Sequence, residues 1–506
     1  MNPLTGVQPL DALAVAPVAA PLAALLLVLL ADAVAPAARG ARRLHDLLAL
    51  LGLLVAGAAV VRLAAEGANR STACIPGGGL EVSACSYVVS PLTLALQAVV
   101  LGAAVVCLLL AVDGPGAADR APHHVLLLAT VAGALALAAA RDLATLVVAL
   151  ETATLPTVGL VALRRDPQGA QGAVTFLLTA LTSLGLLLLG SALLVMATGS
   201  AHFDRISAAL GEPGLPPRVR AVALLGVLLA VAGVAFKLSA VPFHLWTPDT
   251  YAGAPLPVAA LLSSVSKAAG AAAIVVLLTV GVLPLAAGWA PVLGILSAVT
   301  ITVGNLVALR QRIAVRLLAW STVAQAGWVL LPLAGAAGAT SREAHSAASG
   351  AVGYLAAYVA ATLAVFAVVV VLARHHRAGE EHPIDAYRGL ARREPVAAAV
   401  LAFGLACLAG LPPGIVGLVA KIVAVRPVVD AAAWPLALVA AANVALGLVY
   451  YLRWAALLFA PAEAAAVPSW QVRPAEGVAV GGAAAACVVL SVWPQIVAGV
   501  VPGVVR

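Results

Sequence analysis

Three lysines, Lys237, Lys267 and Lys421, each stand inside a long apolar stretch, and they are the only lysines in the chain. The remainder of the 28 basic residues are arginines, most of them between those stretches. Arginine stays protonated under protein conditions, whereas the lysine amine changes its proton affinity readily when water is removed. Bases that can load and unload protons away from bulk water are therefore concentrated where the chain is most apolar. One acid shares that setting. Glu151 lies in RDLATLVVALETATLP, nine residues after Asp142, which at helical rise is about 13 Å from the segment edge. Ionisable groups at such depth mark proton or ion paths by default, since each is costly to bury without a role. The bland alternative is a neutral carboxyl serving as helix-packing glue.

The elements that must position these groups follow from composition. The chain has 506 residues, 63% of them hydrophobic and 10% charged, against roughly 25% charged in a soluble domain. Apolar runs long enough to span a bilayer recur from end to end, so the fold class is an all-α polytopic membrane protein. Period-2 alternation is absent, which excludes a β-barrel. Fourteen spans are expected, near residues 12–35, 44–64, 89–112, 124–140, 143–163, 172–198, 221–246, 256–280, 283–308, 316–337, 348–373, 395–424, 434–459 and 477–500. The first follows no basic n-region and reads as a retained helix rather than a signal peptide. No CxxC or Cys/His cluster, P-loop or GxGxxG-led βαβ unit is present, so no metal, iron–sulfur or nucleotide site is expected on this chain. The net charge of +7 is spread over short loops and suggests no nucleic-acid surface.

Arginine placement sets the orientation. With both termini outside, the inner loops hold the richer set, including Arg39, Arg42, Arg43, Arg120, Arg164, Arg165, Arg310, Arg312, Arg316, Arg374, Arg377, Arg388, Arg392, Arg393 and Arg473. The outer side holds Arg70, Arg141, Arg205, Arg218, Arg220, Arg342, Arg426 and Arg506. His375 and His376 belong to a solvated inner loop. Cys74 and Cys85 then fall in an outer loop, where a disulfide or two free thiols are equally open readings.

Two spans carry breaks. The seventh reads GVAFKLSAVPFHLWTPD, with Pro242 inside it, and the twelfth reads GLPPGIVGLVAKIVAV, with Pro412 and Pro413. Proline frees a carbonyl and kinks a helix. Such backbone is tolerated at membrane depth only where protein or water satisfies it again. Paired interrupted helices point to inverted repeats around a midplane ion path, with halves in spans 4–8 and 9–13. Lys237 is expected to face Glu151, as a static ion pair or as a switch in which the acid tunes the lysine. Lys267 is too central to snorkel and has no sequence-local acid, which makes it the base most suited to being neutral part of the time. Lys421, close to Arg426 near the outer end, fits snorkelling as well as transfer. His244 serves either as a shuttle or as a donor to a carbonyl freed by Pro242. Ser239, Ser263, Ser264, Ser266, Thr322, Gln325, Tyr354 and Tyr358 are polar positions that could bridge the charged sites or simply bond helices together.

The stretch FKLSAVPFHLWTPDTYAGAPLPVAALLSSVSKAAG resembles the N-subunit family of bacterial respiratory complex I, the proton-pumping NADH:quinone oxidoreductase, within the antiporter-like group. So do ARDLATLVVALE, NLVALRQRIAVRLLAWSTVAQAG, YRGLARREP and LAGLPPGIVGLVAKI, in order from about residue 120 to 455. SSVSKAAG separates it from the related M and L subunits, whose eighth span carries histidine. The resemblance implies two inverted five-helix repeats, over 121–281 and 282–460, flanked by N-terminal helices in 1–120 and a last helix in 461–506. It implies Glu151 as the fifth-helix acid, Lys237 as its partner, Lys267 as the central relay and Lys421 as the lysine nearest the proton exit. Quinone, NADH, FMN and iron–sulfur clusters would sit in other subunits, and the partners would be M-type and L-type subunits, small K, J and A-type subunits and lipid. The implied location is the bacterial inner membrane. Alternatives are an Mrp-type cation/proton antiporter subunit, a membrane subunit of a related hydrogenase or dehydrogenase complex, or an inert spacer.

Three positions depart from the family pattern: Val174 stands where a sixth-helix lysine is common, Ala252 replaces a turn acid and Val315 a loop lysine. A relay at the sixth helix would then need water, Thr175 or Thr179. If Lys267 titrates, Lys267→Arg should abolish transfer although the charge is kept; proton pumping at wild-type rate in membranes carrying that variant would refute the titration argument.

Overall fold

The computed structural model describes residues 10–34, 41–67, 69–75, 84–112, 119–373, 382–461 and 472–499. Arg39, Arg374, His375, His376, Arg377 and Arg506 lie outside the described residues. The first helices are α1 (Ala12–Val34), α2 (Ala41–Glu66), α3 (Pro91–Ala111), α4 (Arg120–Ala139), α5 (Leu143–Ala162) and α6 (Pro167–Thr198). A short α7 (Phe203–Gly211) leads into α8 (Pro217–Leu238), α9 (Trp246–Gly253), α10 (Leu256–Ser263) and α11 (Val265–Val276). Then come α12 (Ala286–Ala308), α13 (Ala314–Leu330), α14 (Ser341–Ala373), α15 (Leu390–Arg393), α16 (Pro395–Ala409), α17 (Ile415–Asp430), α18 (Trp434–Phe459), α19 (Pro474–Val492) and α20 (Gln495–Ala498). Thirteen helical segments among the described residues are long and apolar enough to cross a membrane. The expected twelfth span, 395–424, is instead two half-length helices, α16 and α17, which is why fourteen stretches of sequence give thirteen long helices.

Burial sorts these helices. The Leu256–Gly281 span is wholly enclosed, and α13 and α14 nearly so, whereas α1, α6 and α18 turn most of their surface outward. The enclosed helices carry Ser263, Ser264, Ser266, Thr322, Gln325, Tyr354 and Tyr358. Polar groups that would be costly against lipid are thus packed against protein. Close approach is achieved with small residues: a side chain at Gly133 of α4 would collide with the backbone of Thr152 and Ala153 of α5, and one at Gly304 of α12 with Ala324 of α13.

At one end of the bundle lies an antiparallel hairpin, β1 (Arg70–Ile75) with β2 (Ala84–Val89), in which Cys74 faces Cys85 and the two form a disulfide. Asp11 ties the hairpin to α1. Its carboxylate caps the helix by accepting from the Leu13 and Ala14 amides at 3.0 and 3.1 Å, and accepts from Arg70 Nη1 at 2.8 Å. The Asp11 amide donates to Thr72 Oγ1 at 3.1 Å. Because helices alternate in direction, this end also holds the α4–α5 turn, where Tyr87 bridges Ala140, and the α13–α14 and α17–α18 connections.

The Arg70 guanidinium and the α1 amides hold the Asp11 carboxyl below its usual range. A depressed carboxylate contributes stability that is complete above the unfolded value, about 4, and is lost only as pH falls through the lower folded one. Amide exchange of the hairpin, corrected for intrinsic rate, should therefore be flat from neutral pH to about 5 and rise only below about 4. Opening that begins above that range would contradict the clasp.

Candidate functional site

Both broken spans end their first half in the same way. α8 closes on Ser239 in the left-handed region, φ 66°, with the Ala240 amide donating to Ala235 O and that of Ser239 to Phe236 O. α16 closes on Gly410, φ 79°, with the Leu411 amide donating to Ala406 O and that of Gly410 to Cys407 O. This is a left-handed helix stop that satisfies some terminal carbonyls and leaves others pointing into the bundle. A cis peptide follows each stop, Val241–Pro242 and Pro412–Pro413. The sequence reading put Pro242 inside a helix; the residues 239–245 are instead a non-helical link between α8 and α9.

The free carbonyls are taken by lysines. Lys267, 2% exposed, donates to Lys237 O at 3.2 Å and to Ser239 Oγ at 2.5 Å, and its amine lies 4.5 Å from the Trp246 ring centroid. Ser239 Oγ is in turn 2.5 Å from Thr247 Oγ1. Lys421, 7% exposed, donates to Ala409 O, the last helical residue of α16, and faces the Trp328 ring at 5.7 Å. Each amine thus sits at the negative end of a half-helix, where a cation is favoured, over an aromatic face that a cation also prefers.

Lys237, 1% exposed, projects the other way, onto α5. Its amine donates to Ala153 O at 3.1 Å and to Thr154 Oγ1 at 3.0 Å and lies 5.7 Å from the Phe176 ring centroid. Glu151, half-buried on the same helix, acts on Lys237 electrostatically but makes no direct ion pair with it. The static ion pair entertained from sequence is therefore replaced by a neutral cradle two to three residues along. Its physical reason is rotation: Ala153 and Thr154 face inward while Glu151 sits at the rim of the inward face.

α10 and α11 are separated at Ser264, so the central lysine follows a third break that the apolar run concealed. Ser264 Oγ donates to Ala260 O at 2.6 Å and stands 3.6 Å from Cys107 Sγ. Ser263 presents its carbonyl to Tyr358 Oη at 2.7 Å, and Tyr358 also meets Thr322 Oγ1 at 3.2 Å. One turn on, Tyr354 Oη donates to Gln325 Oε1, and Gln325 Nε2 donates to Tyr451 Oη at 2.9 Å. A small cavity lined by Gln325, Tyr354, Tyr358, Cys407 and Lys421 closes this series. It has room for about one water.

Other expected residues fall outside the series. His244 packs edge-on against Trp320, with Nδ1 buried and unpartnered, and Ser266 Oγ is likewise unpartnered. Val174 is 54% exposed on the outer face of α6. Phe176, two residues on, is the α6 residue beneath Lys237, and Thr179 donates only to its own helix. Sequence reasoning missed Thr154, Thr247, Trp246, Trp328 and Tyr451. Hydroxyl and aromatic side chains are frequent in such helices, and only their position after folding separates these from the rest.

Residues 140–447 match the family described as NADH:quinone oxidoreductase/Mrp antiporter, transmembrane. The chain is 42% identical over 465 residues to NADH-quinone oxidoreductase subunit N 2 of Streptomyces griseus, covering 91% of this chain and 84% of that one. It is 41% identical over 473 residues to NADH-quinone oxidoreductase subunit N of Salinispora tropica, covering 92% and 88%. Among solved structures it superposes on a chain of respiratory complex I from Thermus thermophilus with bound aureothin, with TM-score 0.77 and 28% identity over 96% of this chain and 100% of that one. It also superposes on a chain of the Mrp complex from Dietzia, with TM-score 0.79 over 97% of each chain, where 22% identity shows a shared fold alone. By that length and identity of match, the chain belongs to the family of NADH-quinone oxidoreductase subunit N, antiporter-like membrane subunits of complex I.

Proposed function

We propose that this subunit moves protons across the membrane along Glu151, Lys237, Lys267 and Lys421, driven by quinone reduction in other subunits of an NADH:quinone oxidoreductase. The carrying observation is the seating of all three buried amines on neutral backbone or hydroxyl oxygens, two of them at helix breaks. A lysine held by neutral acceptors can exist as ammonium or amine without stranding a fixed counter-ion, which an ion-paired lysine could not. Charge displaced toward Glu151 acts first on Lys237. Lys267 bonds the backbone of Lys237, so a change at one is felt at the other. Tyr358, Thr322, Gln325 and Tyr354 fill the ground between Lys267 and Lys421. Coupling of a few pKa units per step, about 1.4 kcal/mol each, is enough to reverse proton occupancy.

The two-repeat reading of 121–281 and 282–460 is supported by matched pairs at one constant sequence spacing. Gly133 on Ala153 corresponds to Gly304 on Ala324, and the left-handed stop at Ser239 to that at Gly410. At that spacing Thr322 stands for Glu151 and Leu408 for Lys237, so the second half carries Lys421 without a paired acid of its own. The outward side is taken to be the hairpin end, since a disulfide belongs to an oxidising compartment. M-type and L-type subunits and small K, J and A-type subunits are the proposed neighbours, and the proposed site is the bacterial inner membrane. Quinone, NADH, FMN and iron–sulfur centres are assigned to the other subunits.

In the assembled complex, Lys267→Ala should lower proton pumping by at least tenfold through this subunit while its level in the membrane stays near normal; unchanged pumping would remove the relay. Thr154→Val, which keeps shape and deletes a hydroxyl partner, should cost about 1–3 kcal/mol in the charged state of Lys237 and slow pumping several-fold. Val174→Lys should change little, because that position faces outward; a gain in pumping would show that the sixth helix supplies a step after all.

A further inference from the structure

At the hairpin end, a cavity of about 720 Å³ opens between α14 and α17. It is lined by His345, Ser346, Ser349 and Gly350 from α14 and by Val423 and Arg426 from α17. Two of its polar atoms, His345 Nδ1 and Ser349 Oγ, are buried and have no hydrogen-bond partner. The small cavity that holds Lys421 lies in the same seam. It begins one turn further along each helix, at Tyr354 on α14 and at Ala420 and Lys421 on α17. What separates the two is the contact of Gly350 with the Val423 carbonyl, where an added Cβ would stand 3.2 Å from that oxygen. One helical turn is about 5.4 Å, so a single layer of the seam divides Lys421 from an open polar chamber.

We propose that this chamber is the outer proton vestibule, in which His345 accepts the proton released by Lys421 and passes it to external solvent. The proposal rests on the relay reading above. Lys421 goes from ammonium to amine, the His345 imidazole becomes imidazolium, and it returns to imidazole when water takes the proton. Ser349, a turn from His345 on the same helix face, offers a hydroxyl between them. Histidine suits the step because imidazole can take a proton on one ring nitrogen and release one from the other. The charged groups around it come from both helices: Arg342 and Glu343 on α14, and Arg426 and Asp430 on α17. Glu343 is occupied in capping its own helix with Thr340, and Arg426 lies 3.7 Å from Asp430, which leaves His345 as the vestibule base without an assigned partner. α20 contributes only Ala498 to the wall, and Gly499 follows it.

The test uses the assembled complex in sealed membranes. Ser349→Cys should react with a membrane-impermeant methanethiosulfonate applied at the outer face, the unsubstituted complex serving as background, and the bulky adduct should cut pumping to the level of Lys421→Ala. His345→Ala should lose pumping several-fold and regain it when imidazole is added outside, an effect that a merely structural histidine would not give. Pumping that survives the Ser349→Cys adduct, or a His345→Ala loss that outside imidazole does not repair, would overturn the vestibule. Normal pumping in Lys421→Ala would instead sink the relay on which it rests.

Discussion

Everything in this molecule turns on helices that stop inside the bundle. A continuous helix satisfies most of its own backbone, and α5 offers Lys237 only the Ala153 carbonyl and the Thr154 hydroxyl. A helix that ends on a left-handed residue leaves carbonyls at its negative pole, and in this chain Lys267 and Lys421 occupy the two poles so created. The arrangement solves two problems at once. The lysines satisfy backbone that would otherwise be costly to bury, and the backbone holds the lysines without fixing their charge.

That constraint explains the rest of the packing. The broken span Leu256–Gly281 and its neighbours α13 and α14 are enclosed by the rest of the bundle, whereas α16 and α17 keep an outward apolar face that includes Val396 and Ile422. Enclosure demands close approach, and glycines such as Gly133 and Gly304 sit where a side chain would strike the neighbouring backbone. Aromatic rings then floor the amines: Phe176 under Lys237, Trp246 under Lys267 and Trp328 under Lys421. A π face stabilises the ammonium without competing for its proton.

The hairpin end is built on a different principle. There the chain leaves the apolar medium, and charges pair directly, as Asp11 does with Arg70 beside the disulfide hairpin. The α14–α17 cavity, the proposed vestibule, stands between these regimes, with charged groups among its lining and the unpartnered His345 Nδ1 and Ser349 Oγ buried in its wall. On the proposed relay, a proton leaving the enclosed series would meet polarity that rises in steps rather than at one boundary.

The sequence alone determined the fold class, the two proline breaks and the identity of the four ionisable groups, because each is a compositional anomaly within an apolar run. It did not determine what those groups touch. Lys237 rests on Thr154 and Ala153 rather than on Glu151, a matter of helix rotation that spacing along one chain cannot resolve. The break at Ser264 carries no proline, so an uninterrupted apolar run hid it. Val174, an apparent gap in the relay, proved to face outward while Phe176 took the inner position. The residue types were legible because burying a charge is costly wherever it occurs; their partners were decided only by tertiary structure, because a carbonyl or hydroxyl becomes an acceptor for a lysine only when another helix brings it within about 3 Å.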